Sequence, residues 1–129
     1  MELATRSDAN LALARKVFSL LETENFSSIV PLLHEHVHAR PSINGAPDLT
    51  GRDAVEDWWN RFASVDAEFE LRPLEFEPRG DCVIVRGYLR HRSGRALAES
   101  QVFWLHEIHD GLITRMESHP TRASAIASL

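Results

Sequence analysis

Asp110-Gly111-Leu112-Ile113-Thr114-Arg115-Met116-Glu117-Ser118-His119-Pro120-Thr121-Arg122-Ala123-Ser124-Ala125-Ile126-Ala127-Ser128-Leu129 says more about the fold than any other stretch of the chain. Asp-Gly suits a tight hairpin turn, because both residues tolerate positive φ. The alternating run from Leu112 to His119 reads as a strand leaving that turn. Thr121 then stands where its hydroxyl can accept from the free N–H groups of a short Ala-rich helix.

The rest of the composition bounds what such a segment can belong to. A chain of 129 residues with 43% hydrophobic and 26% charged residues is long enough for one packed core and short of two ordinary domains, so one globular domain over 1–129 is expected. A formal charge of -5 and a pI near 5.8 argue against an electrostatic grip on phosphate backbones or anionic lipid; neither nucleic acid nor membrane is expected as a partner. Cys82 is the single cysteine, so no internal disulfide can form, and its neighbours Val83, Ile84 and Val85 suggest a buried thiol in a cytoplasmic protein. Met1-Glu2-Leu3-Ala4-Thr5-Arg6 does not read as a secretory signal, and no apolar run approaches the length of a bilayer.

Upstream, periodicity separates helices from strands. Leu11, Ala14, Val17, Phe18 and Leu21 repeat at helical spacing, predicting an amphipathic helix capped by Ser7 or Asp8. A second helical stretch starts near Asn25 with Phe26, Ile29, Val30 and Leu33 on one face, where Pro31 would kink it beyond the first turn. His36 to Arg40 alternates like a strand before Pro41, and Ser42 to Thr50 reads as a loop. Ala54, Val55, Trp58, Trp59 and Phe62 predict a third helix, with Asp53, Glu56 and Asp57 at its N-terminal end. Beyond Ser64 the period becomes two: Phe69 to Phe76, Cys82 to Arg90, Val102 to Ile108 and Ile113 to Met116, broken at Pro78-Arg79-Gly80, Ser93-Gly94-Arg95 and Asp110-Gly111. Helices first, then an antiparallel meander, then a closing helix is an α+β order.

This order of elements, with the aromatic-rich segment Gly51 to Phe62 and the ending Asp110 to Ile126, resembles the SnoaL-like domains of the nuclear transport factor 2-like superfamily. The resemblance implies a curved antiparallel sheet forming a cone around N-terminal helices, a cystatin-like roll with an internal pocket open at one end, and a homodimer formed through the sheet. It implies no single reaction, because the superfamily includes polyketide cyclases, epoxide hydrolases, ketosteroid isomerases, dehydratases and non-catalytic members.

The chemistry therefore has to come from the pocket. The resemblance turns Thr114, Met116 and Ser118 inward and Glu117 the other way. Relatives that open epoxides or cyclise polyketides carry an acid at the position matching Ser118, and serine is no general base unaided. The isomerases place their aspartate base just before the proline of the first strand, which here is Arg40. What remains is basic and aromatic. By parity His38 and Arg40 share a face, as do Trp104 and His106, and the match to the isomerases turns Trp104 inward. The candidate catalytic set is His38, Arg40, His106 and Ser118, with histidines as acid or base and Arg40 holding an anionic or carbonyl oxygen. Structurally, the same polar groups would hydrogen-bond neighbouring carboxylates or reach solvent at the cone mouth. Trp58, Phe62, Trp104 and Met116 are the candidate ligand contacts, although adjacent tryptophans on a helix diverge by about 100 degrees and at most one sits squarely over the pocket.

Two other patterns compete. His34-Glu35-His36-Val37-His38 satisfies the HExxH pattern of zinc proteases, but that chemistry needs both outer histidines on one helical face, and Pro31 and Pro41 flank the segment. On a strand, His34, His36 and His38 would alternate on one face where they could share a metal; no metal and no cofactor are expected. Arg86, Tyr88, Arg90 and Arg92 alternate opposite the acidic Asp66, Glu68, Glu70, Glu75 and Glu77, a pattern of cross-strand pairing or of a dimer face. The expected function is binding of a small organic ligand, with two classes open. One is a cofactor-independent lyase or isomerase of cyclase or dehydratase type, acting on a carbonyl or hydroxylated aromatic compound. The other is a non-catalytic ligand-binding or assembly domain.

Overall fold

The computed structural model describes the backbone at residues 2–23, 25–41, 48–64, 68–93 and 95–129, and the side chains at those positions other than 2–6, 62–64, 68, 69, 91 and 93. The loop expected at 42–47, the turn residue Gly94 and the side chains of Phe62, Asp66, Glu68 and Phe69 lie outside the described residues.

The first helix, α1, spans Glu2–Glu22 and buries Ala14, Val17, Phe18 and Leu21. It begins ahead of Ser7 and Asp8, which are therefore helical rather than capping; Glu2, Leu3 and Ala4 are good helix formers that extend it backwards. The second helix, α2, is a single turn, Phe26–Ile29, followed by a 3-10 turn over Val30–Leu32. Pro31 has no N–H to continue an α-helix, and at Leu33 the chain becomes extended, φ -96 and ψ 140. Strand β1 (Leu33–Arg40) thus starts at Leu33 rather than His36.

Beyond the undescribed loop, a short strand β2 (Leu49–Thr50), which the pattern of residues did not suggest, pairs antiparallel with β1. Gly51, at φ 95, turns the chain into α3 (Arg52–Ser64), and its N–H donates to the Val37 carbonyl at 2.7 Å. Strands β3 (Glu68–Arg79), β4 (Cys82–Ser93), β5 (Ala96–His109) and β6 (Leu112–His119) form the expected antiparallel meander. At the last turn Asp110 and Gly111 both have positive φ, 52 and 77, as an Asp-Gly hairpin requires. Thr121 caps α4 (Arg122–Ala127), its Oγ1 accepting from the Ser124 N–H at 3.1 Å.

The sheet is six-stranded in the order β2-β1-β6-β5-β4-β3, curved and unclosed, and wraps the helices as the α+β cone. Among the described residues its one parallel ladder joins β1 to β6. Neither strand can reach the other by a hairpin, since α3 and the whole meander separate them in sequence.

Period-two alternation gives the sheet two apolar faces. Val83, Val85, Val102, Trp104, Ile108, Ile113 and Met116 pack inward against α1, α2 and α3. Cys82, Ile84, Phe103 and Leu105 face outward beneath Ala125 and Ile126 of α4. Among the described residues no helix is long and apolar enough to cross a membrane.

Candidate functional site

The inner face of β5 and β6 forms one wall of a cavity of about 340 Å³. Register sets Trp104 opposite Ser118 and His106 opposite Met116, and all of these residues line the space. Phe18 of α1 forms the facing wall, stacking on the His106 ring at 5.3 Å and 14° and tilting against Trp104 at 5.1 Å. Trp58 and Trp59 of α3 both border the cavity, and Trp59 stacks on Phe26 at 5.6 Å. Gly87 makes room for this arrangement. A β-carbon there would meet the Arg72 carbonyl oxygen and lie 2.7 Å from the Trp104 ring.

His106 is the cavity's distinctive polar group. Its side chain is 2% exposed and its Nδ1 has no hydrogen-bond partner among the described residues. Burial pulls its pKa down to about 4, so the ring is neutral at neutral pH. Ser118 is committed differently, donating its hydroxyl proton to the Pro41 carbonyl at 2.8 Å. Glu117 also borders the cavity, but its carboxylate is bonded on the opposite face of the sheet.

Of the candidate catalytic residues, the structure brings His106 and Ser118 into the cavity and leaves His38 and Arg40 out of it. Val37 and Ala39 of β1 are the buried, inward residues, 0% and 3% exposed, so parity turns His38 and Arg40 outward. His38 Nε2 meets Asp48 Oδ1 at 2.6 Å, and Arg40 lies opposite Glu117 in the β1–β6 ladder with its Nε buried and unpartnered among the described residues. The sequence signal was the apolar parity of Leu33, Val37 and Ala39, which outweighs an alignment to the isomerase base. Thr114 is also misplaced by simple alternation. A bulge in the β5–β6 ladder leaves it bonded to Glu107, with Ile113 and Met116 inward on either side. Of the candidate ligand contacts, Trp58, Trp104 and Met116 line the cavity, and the Phe62 side chain is outside the described residues.

The HExxH residues lie on β1, so no helical face carries the outer histidines. His34 Nδ1 accepts from the His36 backbone N–H at 3.0 Å, and His38 is paired with Asp48. Among the described residues no cluster of three His, Cys, Asp or Glu could hold a metal ion. The arginine row on β4 pairs across strands, Arg90 with Glu99 at 2.9 Å and Arg86 with Glu75 at 4.0 Å.

On the outer face lies a polar cluster that alternation alone did not reveal. His119 Nε2 meets Glu117 Oε1 at 2.8 Å and its Nδ1 meets Ser124 Oγ at 2.7 Å. Ser128 Oγ donates to Glu117 at 2.6 Å, and Arg115 donates to the Ser128 carbonyl at 2.7 Å and to Glu117 at 3.2 Å. Burial alone would raise the Glu117 pKa, but hydrogen bonds from Ser128 and His119 and the Arg115 charge hold it below the ordinary range. The cluster fastens α4 to the sheet, helped by Arg122, which donates to Glu77 at 2.7 and 3.0 Å. The available signal was the spacing Arg115, Glu117, His119 beside Ser124 and Ser128.

The SnoaL-like domain family model matches residues 14–116. Among solved structures, a candidate polyketide cyclase from Xanthomonas campestris pv. campestris superposes with a TM-score of 0.79 at 16% identity, covering 95% of this chain and 97% of that one. TerC, crystallised with polyporic acid, superposes at 0.76 and 20% identity over 94% and 97%. An LEH-like epoxide hydrolase of M. tuberculosis superposes at 0.75 and 16% identity over 95% and 90%. Curated protein sequences include no significant match. Identities this low establish the fold and leave the reaction to the site. With the family model spanning most of its length, the chain belongs to the SnoaL-like domain family.

Proposed function

We propose that this chain is a single small-molecule-binding SnoaL-like domain whose cavity takes a mostly apolar, carbonyl-bearing or hydroxylated aromatic compound, with His106 meeting the ligand's oxygen. The observation that carries this reading is His106 itself, a buried imidazole on the wall of a mostly aromatic and aliphatic cavity of about 340 Å³, whose ring receives no hydrogen bond from the described residues. Buried polar groups are normally paired, and one left open beside a cavity marks where a ligand supplies the missing partner.

The catalytic form of the proposal is a cofactor-independent lyase or isomerase of cyclase or dehydratase type. There a neutral imidazole polarises a carbonyl; with a pKa near 4 His106 is a weak base, so this role suits it better than proton abstraction. A non-catalytic binding or assembly domain is the second reading. It is favoured by the commitment of the Ser118 proton to Pro41, which leaves His106 without a free acid or base beside it among the described residues. The proposal includes a cytoplasmic homodimer contacting its twin through the outer face of β3, β4 and β5, where Arg86, Tyr88, Arg90 and Gln101 are exposed or half-buried. Light scattering on purified protein checks the dimer.

All 3 tryptophans line the cavity, so intrinsic fluorescence reports occupancy directly. Titration with 1-tetralone should quench the wild type saturably and quench His106→Phe with at least fivefold weaker affinity, the value of roughly one hydrogen bond. Unsaturable quenching in both proteins would overturn the reading.

A further inference from the structure

The ring of His106 carries more information than its position. Nδ1 is sealed from the cavity and has no partner among the described residues, while Phe18 covers one ring face. A neutral imidazole holds one N–H. On Nδ1 that proton would be a buried, unanswered donor, and native interiors leave acceptors unpaired more readily than N–H groups. Nε2 is then the protonated nitrogen and the one through which the ring can meet a ligand. Ser118 is constrained in the opposite sense. Its proton goes to the Pro41 carbonyl, so its Oγ offers the cavity only lone pairs.

Resting on the binding proposal above, we infer that the cavity is polarised, with His106 Nε2–H as its donor and Ser118 Oγ as its acceptor, and that it selects hydroxylated aromatic ketones with the carbonyl toward His106 and the hydroxyl toward Ser118. Register supports the spacing: Trp104 pairs with Ser118 and His106 with Met116, so the two groups are diagonal neighbours on adjacent strands, with Cα atoms roughly 7–8 Å apart. That span fits a carbonyl and a hydroxyl at the two ends of a fused bicyclic ring. The low His106 pKa keeps the donor uncharged, so the pair favours neutral ligands over carboxylates.

Two measurements test this. In the first, nitrogen-15 NMR of histidine-labelled wild-type protein, with His106 assigned by its loss in His106→Gln, should show a protonated Nε2 and a bare Nδ1 that persist from pH 7 to pH 5. A protonated Nδ1 overturns the inference. In the second, tryptophan quenching ranks tetralin, 1-tetralone and 6-hydroxy-1-tetralone on one skeleton. Affinity should rise at each step by roughly fivefold or more. His106→Phe should abolish the first increment and Ser118→Ala the second, while His106→Gln, which keeps an amide donor, should retain part of the first. Equal affinities for the three compounds overturn the donor–acceptor pair and leave ligand binding standing. Absence of quenching by all three overturns the binding proposal, and the NMR result still decides the tautomer.

Discussion

His106 and His119 stand on opposite faces of neighbouring strands and are buried to similar degrees, 2% and 8% exposed, yet the fold treats them in opposite ways. His119 has both ring nitrogens answered, by Glu117 and Ser124, inside a network that extends to Ser128 and Arg115. His106 has its Nδ1 unanswered and an aromatic ring stacked on it. A buried polar group left without partners lowers stability. The outer network is architecture that holds α4 to the sheet; the inner histidine is one of three described residues, with Asn10 and Arg40, that keep a buried nitrogen without a partner, and the one of them that lines the cavity.

Perturbing the outer side should give the largest effect. Glu117→Ala removes the acceptor that His119, Ser128 and Arg115 share and should cost about 3–5 kcal/mol in urea unfolding. Loss below 1 kcal/mol would mean the network is ornamental. The inner side appears next, in acid. The folded pKa of His106 is about 4 against an ordinary 6.5, so between those values the unfolded chain binds a proton that the folded chain refuses. Its contribution is therefore intact above pH 6.5 and falls by about 3 kcal/mol on the way to pH 4, and His106→Phe should flatten that part of the profile. Glu117 is depressed instead, so its contribution is complete above its ordinary 4.5 and disappears as pH falls below that value, a separate limb that His106→Phe leaves in place. Gly87→Ala should cost about 1–3 kcal/mol and shift tryptophan emission, because the added carbon presses on Trp104 and the Arg72 carbonyl. Ser118→Ala should cost only about 1 kcal/mol, the single bond to Pro41.

Much of the inner side was legible in the residues. The Asp110-Gly111 turn and the Thr121 cap follow from turn and capping chemistry, while the family resemblance turns Trp104, Met116 and Ser118 inward and strand parity adds His106. Residue pattern and structure part where a local rule meets a long-range one. The isomerase match at Arg40, with His38 following by parity, points both inward, whereas Leu33, Val37 and Ala39 on the same strand decide which face meets the core. Thr114 left the pocket because of a bulge, which depends on pairing with a partner strand. The outer network depends on α4 folding back over β6, and nothing local to Arg115, Glu117 and His119 distinguishes that from a solvated face.

The difference between the two histidines is tested most directly by the unfolding free energies, in urea at pH 7, of His106→Phe and His119→Phe. Phenylalanine at 106 keeps the stack on Phe18 and removes the unanswered nitrogen, so stability should stay within about 1 kcal/mol of wild type or rise. Phenylalanine at 119 strips a partner from both Glu117 and Ser124 and should cost about 2–3 kcal/mol. Equal losses at the two positions would contradict the account, since the inner histidine would then contribute to the fold as fully as the outer one does.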